Sequence, residues 1–438
     1  MANTKIPNEL LELSVKTFGT SSLMIGDTTT GTIDAANYNT GLGVDVFAAL
    51  TSGDQNTAIG WTALTANTTG HSNVACGDQT LAANTSGTQN VAIGSAALYA
   101  NTTASNNTAV GYGTLLANTT GVENTAVGSR ALDNNVTGNY NTGIGYAALF
   151  DNTGNYNVGV GVNALQNNTS GADNVAVGRD ALGSNTTAID NVAMGSLALS
   201  SNTTGTGNTA VGTVSQSGTT TGSSNTSVGK NSLQNNTTGY ENTAIGRSAL
   251  VANTTGAGNT VIGKDAGNEI TTSNNNTVVG HNASISSATS QGNEVVLGQG
   301  LTGIGYHQGI LGGVNGVYNQ PNTTTFAQTS DERIKKNIED YTLGLDTINN
   351  IRVRTFEYRE LDEIPNGTDG KILNPNELPE GERVGVIAQE IIDVLPSCVT
   401  EHENSRLSVT TDNVLWTLVK AIQELSAEVE TLKSQLGE

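Results

Sequence analysis

The residues able to do chemistry are few and scattered. The four histidines, His71, His281, His307 and His402, stand apart from one another and from the cysteines, so no metal-ligand spacing exists. Cys76 and Cys398 are more than 300 residues apart and give no disulfide framework. Cys76, in Asn73-Val74-Ala75-Cys76-Gly77, is expected as a small core residue. A polysaccharide hydrolase needs two carboxyls about 5–10 Å apart, yet residues 1–329 hold 17 acidic residues, mostly single and in turns such as Asp133 and Asp151. Tyr112, Tyr140, Tyr146, Tyr156 and Tyr240 could serve as platforms for sugar rings, although scattered surface tyrosines are the commoner case. No cofactor and no metal are expected.

What must position any function is legible in the charge distribution. Residues 1–329 carry 7 basic and 17 acidic residues, whereas residues 330–438 carry 11 and 22, so composition divides the chain near Ser330. Both parts are acidic, which excludes the basic stripe that a nucleic-acid partner requires. No apolar run is long enough to span a membrane. The start, MANTKIPNELLELSVKTFG, shows no secretory signal, so the many Asn-Thr-Thr acceptor patterns are not expected to be glycosylated.

Asparagine recurs every 17 residues at Asn39, Asn56, Asn73, Asn90, Asn107, Asn124 and Asn141, and again from Asn157 to Asn293, with one interval of 16 between Asn141 and Asn157. The unit reads N-T-A-V-G-x-x-A-L-x-x-N-T-T-G-x-x. Its alternating Thr-Ala-Val suits a short strand, while its glycine and Asn-Thr-Thr-Gly are turn chemistry. Seventeen residues cannot hold a helical pair. The reading is mainly β, a parallel β-solenoid or β-roll of sixteen coils over residues 39–298, on the order of 75–80 Å long at about 4.8 Å per strand. An N-terminal attachment segment, 1–38, precedes it, and a cap or tip, 299–329, follows. The interior of a coil is expected to hold residues such as Ala92, Ile93, Ala97 and Leu98. So thin a core barely offsets the ordering entropy of its coil, which predicts side-by-side association into a small cyclic homo-oligomer. The pattern resembles the head repeats of trimeric autotransporter adhesins, which implies a trimer of parallel β-rolls, although the 17-residue unit is longer than theirs.

Residues 330–438 mix charge with short apolar runs. Ile351 to Tyr358 reads as a strand, and Val384 to Glu390 as a strand leading into a helix. Over 412–436, Leu415, Leu418, Ile422, Leu425, Val429, Leu432 and Leu436 follow alternating spacings of three and four, the seam of a coiled-coil helix. Asp412 or Asn413 can cap its start. The alternative is a long helix lying on its own domain, because Trp416, Val419 and Ala421 widen the apolar face. Through Ser330-Asp331, Arg333, Lys335, Asn337-Ile338, the Ile351–Tyr358 strand, Gly385-Val386-Ile387-Ala388-Gln389-Glu390 with Pro396, and Leu418 to Leu425, this part resembles the endosialidase-type intramolecular chaperone, or peptidase S74, domain.

That resemblance implies an α+β domain that trimerises, assembles the preceding fibre and then cuts itself off between Thr329 and Ser330. In the family a serine, here Ser330, pairs with the lysine five places on, here Lys335. A serine hydroxyl needs a base to take its proton, and an amine can serve only when burial or a positive neighbour lowers its pKa; Arg333 or Lys336 could be that neighbour. The expected function is therefore a structural virion fibre such as a phage tail fibre, made in the host cytoplasm. Its expected partners are itself as a homotrimer, other virion tail proteins and a host surface receptor, chiefly a glycan. The alternatives are a bacterial trimeric surface adhesin and a polysaccharide-degrading tailspike.

Overall fold

In the computed structural model, the described residues are 15–26, 35–289, 292–305, 307–312, 317–319, 326–328, 336–357, 381–401 and 407–437. The chain divides into two compact units, Met1–Thr329 and Ser330–Glu438.

The first unit is a parallel β-solenoid. Sixteen three-residue strands, β3 (Thr40–Leu42) to β18 (Val295–Leu297), each pair in parallel with the strand of the next coil. Register is strict: Ala92 lies opposite Ala109 and Ile93 opposite Val110. The 16-residue interval does not disturb it, since Thr142 still faces Val158. There the omitted residue comes out of the outer turn, where Asn152 Nδ2 reaches Gly154 O two places on instead of the usual three.

Backbone hydrogen bonds run between coils around the whole perimeter. For the Asn90 coil they include Val91 N to Asn107 O, Leu98 N to Thr114 O and Ala100 N to Leu116 O. This close stacking forces tight corners. Gly94 has φ +123°, and a Cβ there would meet Gly111 O at 2.5 Å. More unusual is the leucine of each coil, left-handed at Leu98 (φ 51°) and its equivalents. A left-handed non-glycine residue costs about 1–2 kcal/mol, whereas burying a leucine returns about 1.5–3 kcal/mol. Leu98 is fully buried, so burial wins.

Two asparagine ladders line the inside. In the first, Asn107 N donates to Asn90 Oδ1 (3.0 Å), and Asn90 Nδ2 donates to Asn73 Oδ1 (3.1 Å) and to Ala104 O (2.9 Å). In the second, Asn84 Nδ2 donates to Asn67 Oδ1 (2.9 Å) and to Gly87 O (3.1 Å). Where the second ladder is interrupted, by Thr219 and by Ile270, the preceding Asn202 Oδ1 and Asn253 Oδ1 have no donor among the described residues.

Four expectations are corrected. Asn293 is not the last rung: Glu294 N donates to Asn276 Oδ1 across an 18-residue interval, so Glu294 takes that place, its carboxylate accepting from Ser286 N and Oγ. Ile93 is not core. In a strand, positions one and three share a face, and here only the middle residue points in, so Ala92 is buried while Ile93 is 41% exposed. Cys76 occupies the same outward position and is only half-buried. Neither Asp412 nor Asn413 caps the last helix: Thr411 is in the N-cap position, and Asn413 Nδ2 instead donates to Ser397 O (2.8 Å).

Both ends of the stack turn antiparallel. Strand β1 (Val15–Phe18) pairs antiparallel with β2 (Ser22–Ile25), which forms a rung below β3 and buries Met24. At the other end, β19 (Gly309–Leu311) continues the parallel stack, and β20 (Val317–Asn319) and β21 (Phe326–Gln328) follow antiparallel. Hairpins at both ends cover the open edges of a sheet that would otherwise template further pairing.

The apolar interior is not continuous. One cluster ends at Ala210 and the next begins at Leu233. Between them, positions that are Ala or Leu elsewhere are Ser215, Gln216, Ser227 and Ser232, all buried. Ser215 Oγ bonds Ser232 Oγ (2.9 Å), and Gln216 Nε2 donates to Ser227 Oγ (2.8 Å) and Thr209 O (3.0 Å), but Gln216 Oε1 has no donor among the described residues. Replacing a fully buried polar group and its partners by apolar ones of similar volume is neutral or stabilising. Combining Gln216→Leu with Ser215→Ala, Ser227→Ala and Ser232→Ala should therefore raise the thermal midpoint of the rod. A lowered midpoint on calorimetry would show that the polar break is itself stabilising.

The second unit holds α1 (Leu345–Asn349), β22 (Arg354–Phe356) antiparallel to β23 (Arg383–Gly385), α2 (Ala388–Ile391), β24 (Val399–Glu401) antiparallel to β25 (Leu407–Val409), and the 25-residue α3 (Asp412–Leu436). Ile391, Leu395 and Cys398 form its small core, with Ile351, Val386, Val399, Val409 and Val414 packed around them.

Candidate functional site

Thr329, Ser330 and Lys335, the expected cleavage point and catalytic pair, lie outside the described residues, as do Arg333 and His402. The surrounding domain is described from Lys336 onward in part. Its motif strand and helix are joined by charge. Glu390, in α2, accepts from Arg354 Nε (3.1 Å) and Nη2 (2.7 Å) in β22, a bidentate pair, with Arg352 Nη1 at 3.6 Å from the same carboxylate. The sequence reading singled out Glu390 as part of a motif but not Arg354. Its signal was the alternating Arg352-Val353-Arg354, which puts both guanidinium groups on one strand face.

Helix α3 meets its own domain with a face other than the leucine seam. Thr417 and Ala421 are buried; Thr417 Oγ1 bonds Tyr341 Oη (2.8 Å), and Glu424 accepts from Leu345 N (2.7 Å) at the start of α1. Leu415, Leu418, Ile422, Leu425, Val429, Leu432 and Leu436 are all exposed, Ile422 to 59%. The helix thus uses its small and polar stripe at home and leaves its large apolar stripe without a partner among the described residues. Gly437 ends it in the left-handed conformation, its N–H reaching Lys433 O. Beside it, Tyr341, Asn413, Trp416, Val419 and Lys420 line an open cleft of about 470 Å³.

The solenoid carries a second surface with no partner among the described residues. The outward positions of β3 to β18 are filled by Thr, Val, Ile, Leu, Met and Cys alone, and no strand of the series contains a charge. A strip about 75 Å long at ~4.8 Å per strand is therefore polar only through threonine hydroxyls. Tyr112, Tyr140, Tyr146, Tyr156 and Tyr240 are exposed as the sugar-platform reading requires, and Tyr140 and Tyr156 stack on each other with centroids 5.0 Å apart. His71 lies beside Ser72, and His281 beside Lys264. Among the described residues no group of three or more His, Cys, Asp or Glu could hold a metal ion, and no helix is long and apolar enough to cross a membrane. Burial pushes the Cys398 thiol up, and its Sγ donates to Leu395 O (3.0 Å), so it is a structural thiol rather than a nucleophile.

The Arg354 hydrogen bond and charge, with Arg352 adding to them, hold the Glu390 carboxyl below its ordinary value of 4.5. A depressed acid stabilises the fold above its unfolded pKa and loses that contribution as pH falls through its folded one. Glu390→Gln should therefore lower the thermal midpoint of the C-terminal unit at pH 7, and the difference from wild type should close as pH drops below 4.5. A difference that persisted unchanged at low pH would assign the effect to packing.

Residues 330–400 match the Peptidase_S74 family, described as chaperone of endosialidase. The match begins where the two compact units divide and stops short of α3. No curated protein matches the chain, and no solved structure does. The molecule is thus a β-solenoid rod followed by a chaperone-of-endosialidase domain, a combination that fits a protein of the tail fibre or spike type.

Proposed function

We propose that this protein is a homotrimeric virion fibre, of the phage tail-fibre kind, whose C-terminal domain brings three chains together, sets their register and then cleaves itself away between Thr329 and Ser330. The observation that carries the reading is the pair of large apolar surfaces left unsatisfied in one chain, the seven-residue seam of α3 and the charge-free strand face of the rod. Exposed contiguous apolar surface of this extent marks association. The likeness of the α3 seam to a coiled coil and of the rod to trimeric adhesin heads supports three chains.

A template is physically needed. Neighbouring coils are nearly alike, so three rods packed side by side could slip by one unit at little local cost. Three C-terminal domains associated first would remove that freedom. Cleavage by Ser330, with Lys335 as base, then leaves a rod that cannot reassemble once opened, and its stability becomes kinetic. The rod flank or its far end would meet the host receptor, a surface glycan, and the N-terminal segment would join other tail proteins.

Wild type should run on a denaturing gel as two fragments of 329 and 109 residues, and Ser330→Ala as an intact chain of 438 residues. Both should scatter light as trimers. A monomeric, uncut product from both would end the trimer and protease readings together. Ile422→Glu, which places three charges in the seam, should abolish trimer formation in the Ser330→Ala background; an unaffected trimer would show that the seam is not the contact.

A further inference from the structure

The charge-free strand face of the rod is bounded by two columns of side chains, one charged only by acids and the other holding every cation of the rod together with acids that pair with most of them. One lies just before each inner asparagine and includes exposed Glu123, Asp173, Asp190 and Glu241, with no Lys or Arg anywhere along it. The other follows the glycine that ends each strand. Every Lys and Arg of residues 35–312 lies in it or one place further: Arg130, Arg179, Lys230, Arg247 and Lys264. Four acids share this second edge, Asp45, Asp78, Asp180 and Asp265. Of these, Asp180 is held by Arg179 (3.4 Å), and Asp265 by both Arg247 (3.1 Å) and Lys264 (3.0 Å). The four acids of the first edge form no ion pair among the described residues.

We infer that in the assembled rod the acidic edge of one copy lies against the basic edge of the next, with all copies pointing the same way. The inference rests on the strand face being the contact between copies. Symmetry supplies the rest. Any rotation axis parallel to the rod brings the second edge of each copy to the first edge of its neighbour, at the same height, whereas a two-fold axis across the rod brings like edges together. At equal height Asp173 of one copy faces Arg179 of the next, and Glu241 faces Arg247, because each pair belongs to a single coil. Tyr140 faces Tyr146 in the same way. Counting the position one place further, the Glu123 coil with Arg130 is a third charged on both sides, and in all three the cation also meets an acid of its own chain, Asp133, Asp180 or Asp265. Like charges brought together at an interface are strongly unfavourable, so the antiparallel arrangement, which would set Lys230, Arg247 and Lys264 on the same edge of another copy, is disfavoured.

Disulfide trapping reads this directly. In a full-length Cys76→Val background, which clears the strand face of thiols, three proteins are made: Glu241→Cys, Arg247→Cys and the double variant. Within one chain the two positions lie at opposite ends of an extended strand, at most about 20 Å apart and, at ~3.3 Å per residue, beyond the roughly 7 Å reach of a disulfide. Mild oxidation should link the double variant into covalent dimers and trimers on a non-reducing denaturing gel, and the two single variants produced together in one cell into dimers, while neither single variant made alone links. Dimers from a single variant alone, or an unlinked double variant that still scatters light as an oligomer, would overturn the edge pairing. A monomer by light scattering in unmodified protein would instead overturn the assembly reading beneath it.

Discussion

The interior of one coil has room for very few side chains, and the rest of the rod follows from that limit. With coils stacked by backbone hydrogen bonds on both sides, each rung must present the same groups at the same place as its neighbours or leave a donor or acceptor unmatched. Volume is conserved locally as well. Where the strand alanine becomes Val261, the leucine of that coil becomes Gly267, and a Cβ on Gly267 would meet Val261 at 3.1 Å and Ile270 at 3.0 Å. At the base of the rod Gly41 makes the same concession to Val46 and Phe47. The strand's own alternation sends its first and third residues outward, so the third, a valine or isoleucine in most strands, lies on the outer face.

That outward displacement couples the fold to the function. A solenoid wide enough to bury its branched residues would be satisfied alone. This one takes an alanine and a leucine from most coils and leaves the outward valines and isoleucines of its strands along one external face, as the leucine seam of α3 lies along another. The two surfaces differ in information content. The strand face repeats itself with each coil and says little about register, whereas the seam of α3 is short, has one start and one end, and can be matched in few ways.

Much of this was legible in the residues. The 17-residue period gave the coil, the parallel stacking and nearly every rung, because asparagine is irreplaceable where a side-chain amide must donate and accept at once. The division at Ser330 was visible as a change in charge density. Three things were less accessible. Ile93 was placed inside because it is the more apolar residue, although the alternation of Thr-Ala-Val already puts alanine alone on the inner side. Glu294 was missed because one extra residue in the preceding turn left Asn293 at a plausible spacing. The Arg354–Glu390 pair joins residues 36 positions apart, and only the fold of the C-terminal unit brings them together.

The asparagine ladder also has a direction. Each side-chain oxygen accepts from the C-terminal neighbour, and most side-chain amides donate toward the N-terminal one, so the chain of dipoles has one direction along the stack. Glu294 breaks the relay, since its carboxylate accepts from Ser286 and offers no amide hydrogen to the ladder behind it. Length is thereby separated from termination. Whole coils can be gained or lost by duplication or deletion, each changing the length of the rod by about 4.8 Å, while the closing residue travels with the end. A lineage could tune how far the rod extends without redesigning how it starts or stops.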